Sequence, residues 1–215
     1  MAVVFQPIVD LRDDSVVGVE ALSRFADGRS PEEHLGEARA AGTLVALELS
    51  LLADIRRAAV ALSDGSLVTC NASGPTFDAL EQEGEGFDPR LQWGLELSEL
   101  TAPAACTEAR RISTALGCLL LLDDAGAAHS TVERILELRP DIVKLDRAIV
   151  AQYEDDPTTR ALASRLCDAA RAVGARILVE GIETPRQAVL ARRLGAQYAQ
   201  GFLFGRPAPR EPDPT

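Results

Sequence analysis

Eight short apolar runs alternate with longer amphipathic stretches, and this alternation constrains the fold more than any other feature of the chain. The strand candidates span residues 3–9, 16–22, 66–72, 93–99, 118–124, 142–146, 176–181 and 198–204. Helix candidates span 31–42, 43–62, 74–83, 102–116, 130–138, 157–174 and 184–195. Thr184-Pro185 places proline in a first helical turn, and Gly174 and Gly195 stand where C-terminal caps belong. Strands that alternate with helices predict a parallel sheet with crossover helices. Eight is the number that closes a (β/α)8 barrel, and 215 residues lie near the small end of that class. The first link departs from the rule. Only Asp10-Leu11-Arg12-Asp13-Asp14-Ser15 separates the first two strands, too short for a parallel crossover. The expectation is therefore an α/β, TIM-like (β/α)8 barrel whose first strand runs antiparallel to the rest. An open doubly wound sheet remains the alternative, because a strand count does not prove closure. The expected domain spans 1–207, and the proline-rich residues 208–215 are expected to form a flexible tail.

Composition narrows the functional classes. Hydrophobic residues make up 47% of the chain, which excludes global disorder. Twenty-two basic residues against 33 acidic ones leave a net charge of −11, which argues against a nucleic-acid polymer or an anionic membrane as partner. No stretch approaches the roughly 18 apolar residues of a membrane helix. The segment MAVVFQPIVD lacks the basic region and apolar run of a signal peptide. Cys70, Cys106, Cys118 and Cys167 form no CxxC pair, and His34 and His129 lie far from them. Free thiols in a reducing cytoplasm are the simpler expectation than zinc or disulfides. Nearly every cation is arginine; Lys144 is the only lysine. A compact, tunable charge at one position suggests a chemical requirement there.

In a (β/α) barrel, chemistry sits where strands end and loops begin. Glu20 is assigned to the second strand end, Asn71 to the third, Glu96 and Glu99 to the fourth, and Asp123 and Asp124 to the fifth. Lys144 and Asp146 end the sixth, Glu180 and Glu183 the seventh, and Gln200 lies in the eighth. Singly, each has an ordinary explanation: a helix cap for Asp123-Asp124 or Asn71, a surface charge for Glu20 or Lys144. Together they put an acid or amide on the same rim from six strand ends. Converging carboxylates repel and raise one another's pKa unless cations resolve the conflict. Oxygen ligands without histidine or cysteine suit Mg²⁺, Mn²⁺ or Ca²⁺. Adjacent aspartates suit a site with two metals, one carboxylate bridging while its neighbour holds the second ion, as in phosphate hydrolysis.

The segments Val19-Glu20-Ala21-Leu22-Ser23-Arg24-Phe25, Cys70-Asn71-Ala72-Ser73, Glu96-Leu97-Ser98-Glu99, Leu122-Asp123-Asp124, Val143-Lys144-Leu145-Asp146, Glu180-Gly181-Ile182-Glu183 and Gln200-Gly201-Phe202-Leu203-Phe204-Gly205-Arg206-Pro207 occur in this order. As a set they resemble the EAL-domain phosphodiesterases, which hydrolyse cyclic di-GMP. The resemblance covers nearly the whole chain, from Phe5 to Pro207. It implies one Mg²⁺ or Mn²⁺ ion on Glu20, Asn71, Glu96 and Asp123, and a second on Asp123, Asp124 and Glu180, with the attacking water between them. It implies that Lys144 holds that water or the scissile phosphate and that Glu180 is the general base. Gln6, Leu22, Arg24, Asp146, Glu183 and Gln200 are assigned to the nucleotide, with Arg24 on a phosphate, and Glu99 to bracing the loop after the aspartates. The product implied is linear pGpG, in bacterial second-messenger signalling. A homodimer, and a sensor or GGDEF domain outside this chain, are the partners the family allows.

One loop departs from the family pattern, Asp-Phe-Gly-Thr/Ala-Gly-Tyr-Ser. Here it reads Asp124-Ala125-Gly126-Ala127-Ala128-His129-Ser130. Alanine in place of the second glycine costs about 1 kcal/mol if that position needs positive φ. The loop therefore leaves open a catalytically weak or inactive EAL domain that acts as a cyclic di-GMP receptor or protein-interaction module.

Overall fold

The computed structural model describes residues 1–83, 86–98, 103–127 and 131–209. Eight strands close a barrel in chain order: β1 (Ala2–Asp10), β2 (Val16–Arg24), β3 (Leu67–Asn71), β4 (Gln92–Ser98), β5 (Leu119–Ala125), β6 (Ile142–Leu145), β7 (Arg176–Val179) and β8 (Tyr198–Gln200). β1 is antiparallel to both β2 and β8, and every other neighbouring pair is parallel. The short link, five residues between the observed strands, forces this reversal. It closes as a tight turn in which Asp10 N–H donates to Ser15 O at 2.9 Å and Asp14 takes a φ of 60°. Arg12 folds back onto the Asp10 carboxylate at 2.6 Å.

The crossovers are helical: α1 (Pro31–Ala40) and α2 (Leu44–Ala59) after β2, α3 (Gly74–Glu83), α4 (Pro103–Ala115), α5 (Thr131–Leu138), α6 (Arg147–Gln152) and α7 (Pro157–Val173) after β6, and α8 (Pro185–Leu194). Their ends follow the sequence signals. Thr184 and Gln187 form a capping box with proline in the first turn of α8, and Gly174 and Gly195 take left-handed conformations at φ 77° and 82°. Most element ends shift by one to three residues, and two strands and one helix differ in ways that matter for the site. β2 runs on to Arg24, past the expected end at 22. β8 ends at Gln200 and not at 204, because Gly201 turns against Ile182, where a Cβ would stand 2.2 Å from Ile182 O. α6, absent from the sequence reading, starts at once after β6, capped by Asp146, which accepts from Ala148 N–H at 2.8 Å. Ala208 pairs with Phe5 in an isolated antiparallel bridge.

The pleat sorts side chains between two compartments. Residues such as Leu120, Leu122, Val143 and Ile177 join the core shared by the barrel wall and the helices. A separate set, Ile8, Leu67, Leu121, Ile142 and Leu178, packs inside the barrel and plugs it. Side chains alternate along a strand with period two, so the next inward positions on these strands are Gln6, Thr69, Asp123, Lys144 and Glu180. For the reversed β1 the step runs toward the N-terminus. The apolar plug is thus the floor on which a polar layer stands.

Candidate metal centre

The polar layer gathers around one ammonium. Lys144 Nζ lies 2.5 Å from Glu96 Oε2, 2.8 Å from Asp123 Oδ1, 2.9 Å from Glu180 Oε1 and 3.6 Å from Glu20 Oε1. Lys144 and Glu96 are each 1% exposed. Burial opposes the charge on Lys144, but the carboxylates of Glu180, Glu20, Glu96 and Asp123 outweigh it and hold its pKa well above the ordinary lysine value. Burial pushes Glu96 well above the usual carboxylate range despite Lys144, and the charges of Glu20 and Asp123 push the same way. Glu180 is raised to about 7, by burial first and then by Asp123 and Glu20, against the pull of Lys144. One cation among four carboxylates leaves the layer short of positive charge.

Asp124 reaches the same site by a break in the pleat. Adjacent strand residues point to opposite faces, yet carboxylate oxygens of Asp123, Asp124 and Glu180 lie within 4.8 Å of one another. The pairing of β5 with β6 shifts register between Leu122 and Ala125, and Asp124 takes a φ of 56°. This bulge places one extra residue in β5 and turns both aspartates toward one point.

The donor set fits hard divalent cations. It offers carboxylate oxygens, and Glu96 Oε1 is a buried acceptor without a hydrogen-bond partner among the described residues. Asn71 ends β3 directly opposite Glu96 in register, with its side chain exposed at the rim.

The remaining expected residues occupy varied positions. Gln6 pairs in register with Glu20, and its amide donates to Gly205 O at 3.4 Å. Leu22 is half-buried, whereas Arg24 is exposed and donates to Ser23 O at 2.9 Å. Glu183 is exposed ahead of α8. Gln200 is buried, and its amide donates to Glu20 Oε2 at 2.8 Å, so it braces an expected metal ligand. Glu99, Ala128, His129 and Ser130 lie outside the described residues. Gly181, next to Glu180, takes a φ of 68°, and a Cβ there would stand 2.4 Å from Arg147 Cβ; both facts demand glycine. Cys70, Cys118 and Cys167 are buried free thiols. Among the described residues, no helix is long and apolar enough to cross a membrane.

Sequence reasoning missed Glu48, which meets the first turn of α3. Its signal was a carboxylate on the buried stripe of α2, in helical step with Leu52, Ile55 and Ala59.

Comparison with known proteins agrees with this geometry. The EAL domain family model matches residues 1–207. The cyclic di-GMP phosphodiesterase RocR of Pseudomonas aeruginosa is 36% identical over 116 residues, 54% of this chain and 30% of RocR. The probable cyclic di-GMP phosphodiesterase PdeG of Escherichia coli is 28% identical over 221 residues, 94% of this chain and 44% of PdeG. The chain thus spans less than half the length of these curated relatives. Among solved structures, the PaMucR phosphodiesterase in complex with c-di-GMP superposes with a TM-score of 0.77 at 25% identity, covering 97% of this chain and 92% of that one. The calcium/cy-diGMP complex of Klebsiella pneumoniae BlrP1 superposes with a TM-score of 0.78 at 25% identity, covering 96% of this chain and 55% of that one.

Proposed function

Because the chain belongs to the EAL domain family, we propose that it is a metal-dependent phosphodiesterase that opens one phosphodiester bond of cyclic di-GMP to give linear pGpG. The observation that carries this reading is the convergence of Glu20, Glu96, Asp123 and Glu180 on Lys144, with Asp124 turned in beside Asp123 and Glu180. Glu20, Asn71, Glu96 and Asp123 would hold one Mg²⁺ or Mn²⁺ ion, and Asp123, Asp124 and Glu180 a second. Bound there, the ions supply the positive charge the layer lacks and make water acidic near neutral pH. The relatives with c-di-GMP and calcium in the complex support both the substrate and the divalent centre.

The chain's own residues then divide the work. Glu180, beside Asp123 and 2.9 Å from Lys144 Nζ, would take the proton of the attacking water. Lys144, kept protonated by the carboxylates around it, would hold that water or the scissile phosphate. Gln200 fixes one face of Glu20. Gln6, Leu22, Arg24, Asp146 and Glu183 lie on elements that open onto the rim and would meet the nucleotide, with Arg24 on a phosphate. We assign the reaction to the cytoplasm, and a homodimer and a sensor or GGDEF domain to its regulation. A bifunctional diguanylate cyclase/phosphodiesterase, MucR, is among the relatives.

The test is a turnover assay with purified protein, cyclic di-GMP and Mg²⁺ or Mn²⁺, with and without EDTA. The expected result is pGpG that disappears with EDTA. Intact cyclic di-GMP after hours, despite tight nucleotide binding, would establish a receptor instead.

A further inference from the structure

The loop that delivers Asn71 to the rim is gripped from outside the barrel by a buried carboxylate. Glu48 is 8% exposed and sits on the apolar stripe of α2. A carboxylate in that position is costly unless its oxygens are satisfied. Its Oε2 accepts from Ser73 N–H at 3.1 Å and from the Ser73 hydroxyl at 2.6 Å, and also from the Thr76 hydroxyl. These donors belong to the entry into α3, a helix with no acidic residue in its own first turn. Glu48 therefore caps α3 from another helix, at the end where backbone N–H groups and the helix dipole favour negative charge.

Ser73 is two residues beyond Asn71. Between them, Ala72 N–H donates to Glu96 O at 3.0 Å. The chain leaving Asn71 is thus pinned twice in succession, inward to the strand that carries Glu96 and outward to Glu48. We propose that Glu48 is a positioning residue for the metal centre: by clamping Ser73 it fixes the direction in which Asn71 presents its carboxamide oxygen to a divalent cation. This rests on the reading of Asn71 as a ligand. The role is distinct from simple stabilisation of α3, because a buttress of Asn71 changes metal affinity whereas a structural cap changes only the melt. Partners that orient metal ligands are commonly worth 10–100-fold in affinity.

The experiment measures Mn²⁺ binding to the full chain by isothermal titration calorimetry and thermal melting in EDTA. The proteins are wild type, Glu48→Ala, Ser73→Ala, Asn71→Ala and the Glu48→Ala/Asn71→Ala double variant. Glu48→Ala is expected to weaken Mn²⁺ binding by about tenfold or more, Ser73→Ala by less, and the double variant by no more than Asn71→Ala alone. Lower melting with wild-type Mn²⁺ affinity in Glu48→Ala would overturn the proposal. If Glu48→Ala fails to fold, wild-type affinity in Ser73→Ala overturns it. Wild-type affinity in Asn71→Ala would overturn the ligand reading beneath it, which keeps the two failures separate.

Discussion

The floor of the barrel and the charged layer above it are made by the same strands, one inward position apart. Leu121 and Asp123 on β5, Ile142 and Lys144 on β6, and Leu178 and Glu180 on β7 differ only by two residues. The floor removes apolar surface from water and favours folding at about 25 cal/mol per Å². The layer above takes Lys144, Glu96 and Glu20 out of water as well, and four carboxylates share one ammonium. Burial of that kind opposes folding until a ligand offsets it. One structural device, the pleat, thus builds a stabilising layer and a functional layer whose costs have opposite signs.

The two layers should differ most at Asp123. Asp123→Asn removes one negative charge from a crowded layer and keeps the side-chain shape. Turnover of cyclic di-GMP is expected to fall by about a thousandfold or more, the scale at which loss of transition-state electrostatics acts. The melting temperature in EDTA should hold or rise. A melt that drops as far as a floor variant would show that the charged layer is structural. Lys144→Ala removes the ammonium that Glu20, Glu96, Asp123 and Glu180 share and leaves them without it. It should lower kcat more than nucleotide affinity and also destabilise the metal-free protein, by about 3–5 kcal/mol as for a broken buried pair. Leu121→Ala, two residues below Asp123, should show the converse: a loss of about 2–5 kcal/mol from the cavity, with kcat of the folded protein changed only a few-fold. Turnover lost in proportion to Asp123→Asn would erase the distinction between layers.

How legible each layer was in the sequence follows from the same pleat. Strands carry their polar rim residues at fixed spacing from an apolar run, so Glu96, Lys144 and Glu180 could be placed before the fold was seen. The reversal of β1 followed from a link too short to cross over, whereas eight strands suggested closure without excluding an open sheet. Asp124 was legible as a residue but not as a geometry: nothing in Asp123-Asp124 announces the bulge and the φ of 56° that bring both carboxylates to one side. Asp146 was read as a strand end because a strand's last residue and a helix N-cap look alike in sequence; only the immediate start of α6 separates them. Gln200 and Glu48 are the tertiary cases. Their partners, Glu20 and Ser73, are 180 and 25 residues away, and no local pattern pairs them.

A pH titration sharpens the contrast by a smaller amount. Glu180 has a folded pKa of about 7 against an ordinary value of 4.5. Between those values the folded protein holds a proton that the unfolded chain has released. The stability this proton contributes is full below about pH 4.5 and is lost as pH rises through about 7. Glu96, raised by burial, acts in the same direction. In EDTA the melting temperature should therefore fall by about 10 °C across that window. With saturating Mn²⁺, which needs ionised carboxylates, the fall should flatten or reverse, because metal competes with protons for the same oxygens. Leu121→Ala should shift both curves down without changing their slopes. A slope that is the same with and without Mn²⁺ would remove Glu180 from the metal site.

The smallest effect lies where the two layers meet. Gly94 stands opposite Thr69 in register on β4. A Cβ there would lie 2.6 Å from Leu121 Cδ1 and 3.1 Å from Thr69 Cγ2. Gly94→Ala is thus an overpacking change, expected to cost about 1–3 kcal/mol. Its cost has an identifiable source, the Leu121 methyl, so the penalty should depend on the neighbour. In a Leu121→Ala background the added methyl enters the space that Leu121 vacated, and Gly94→Ala should become neutral or stabilising. Denaturant melts of the four proteins give this coupling as a double-mutant cycle, with an interaction of about 1 kcal/mol or more expected for residues in direct contact. Additive costs would place the strain of Gly94→Ala elsewhere, against Thr69 and the polar layer, and Mn²⁺ affinity would then fall with it. A coupled result with unchanged Mn²⁺ affinity would show that the floor can be repacked without disturbing the charges that stand on it.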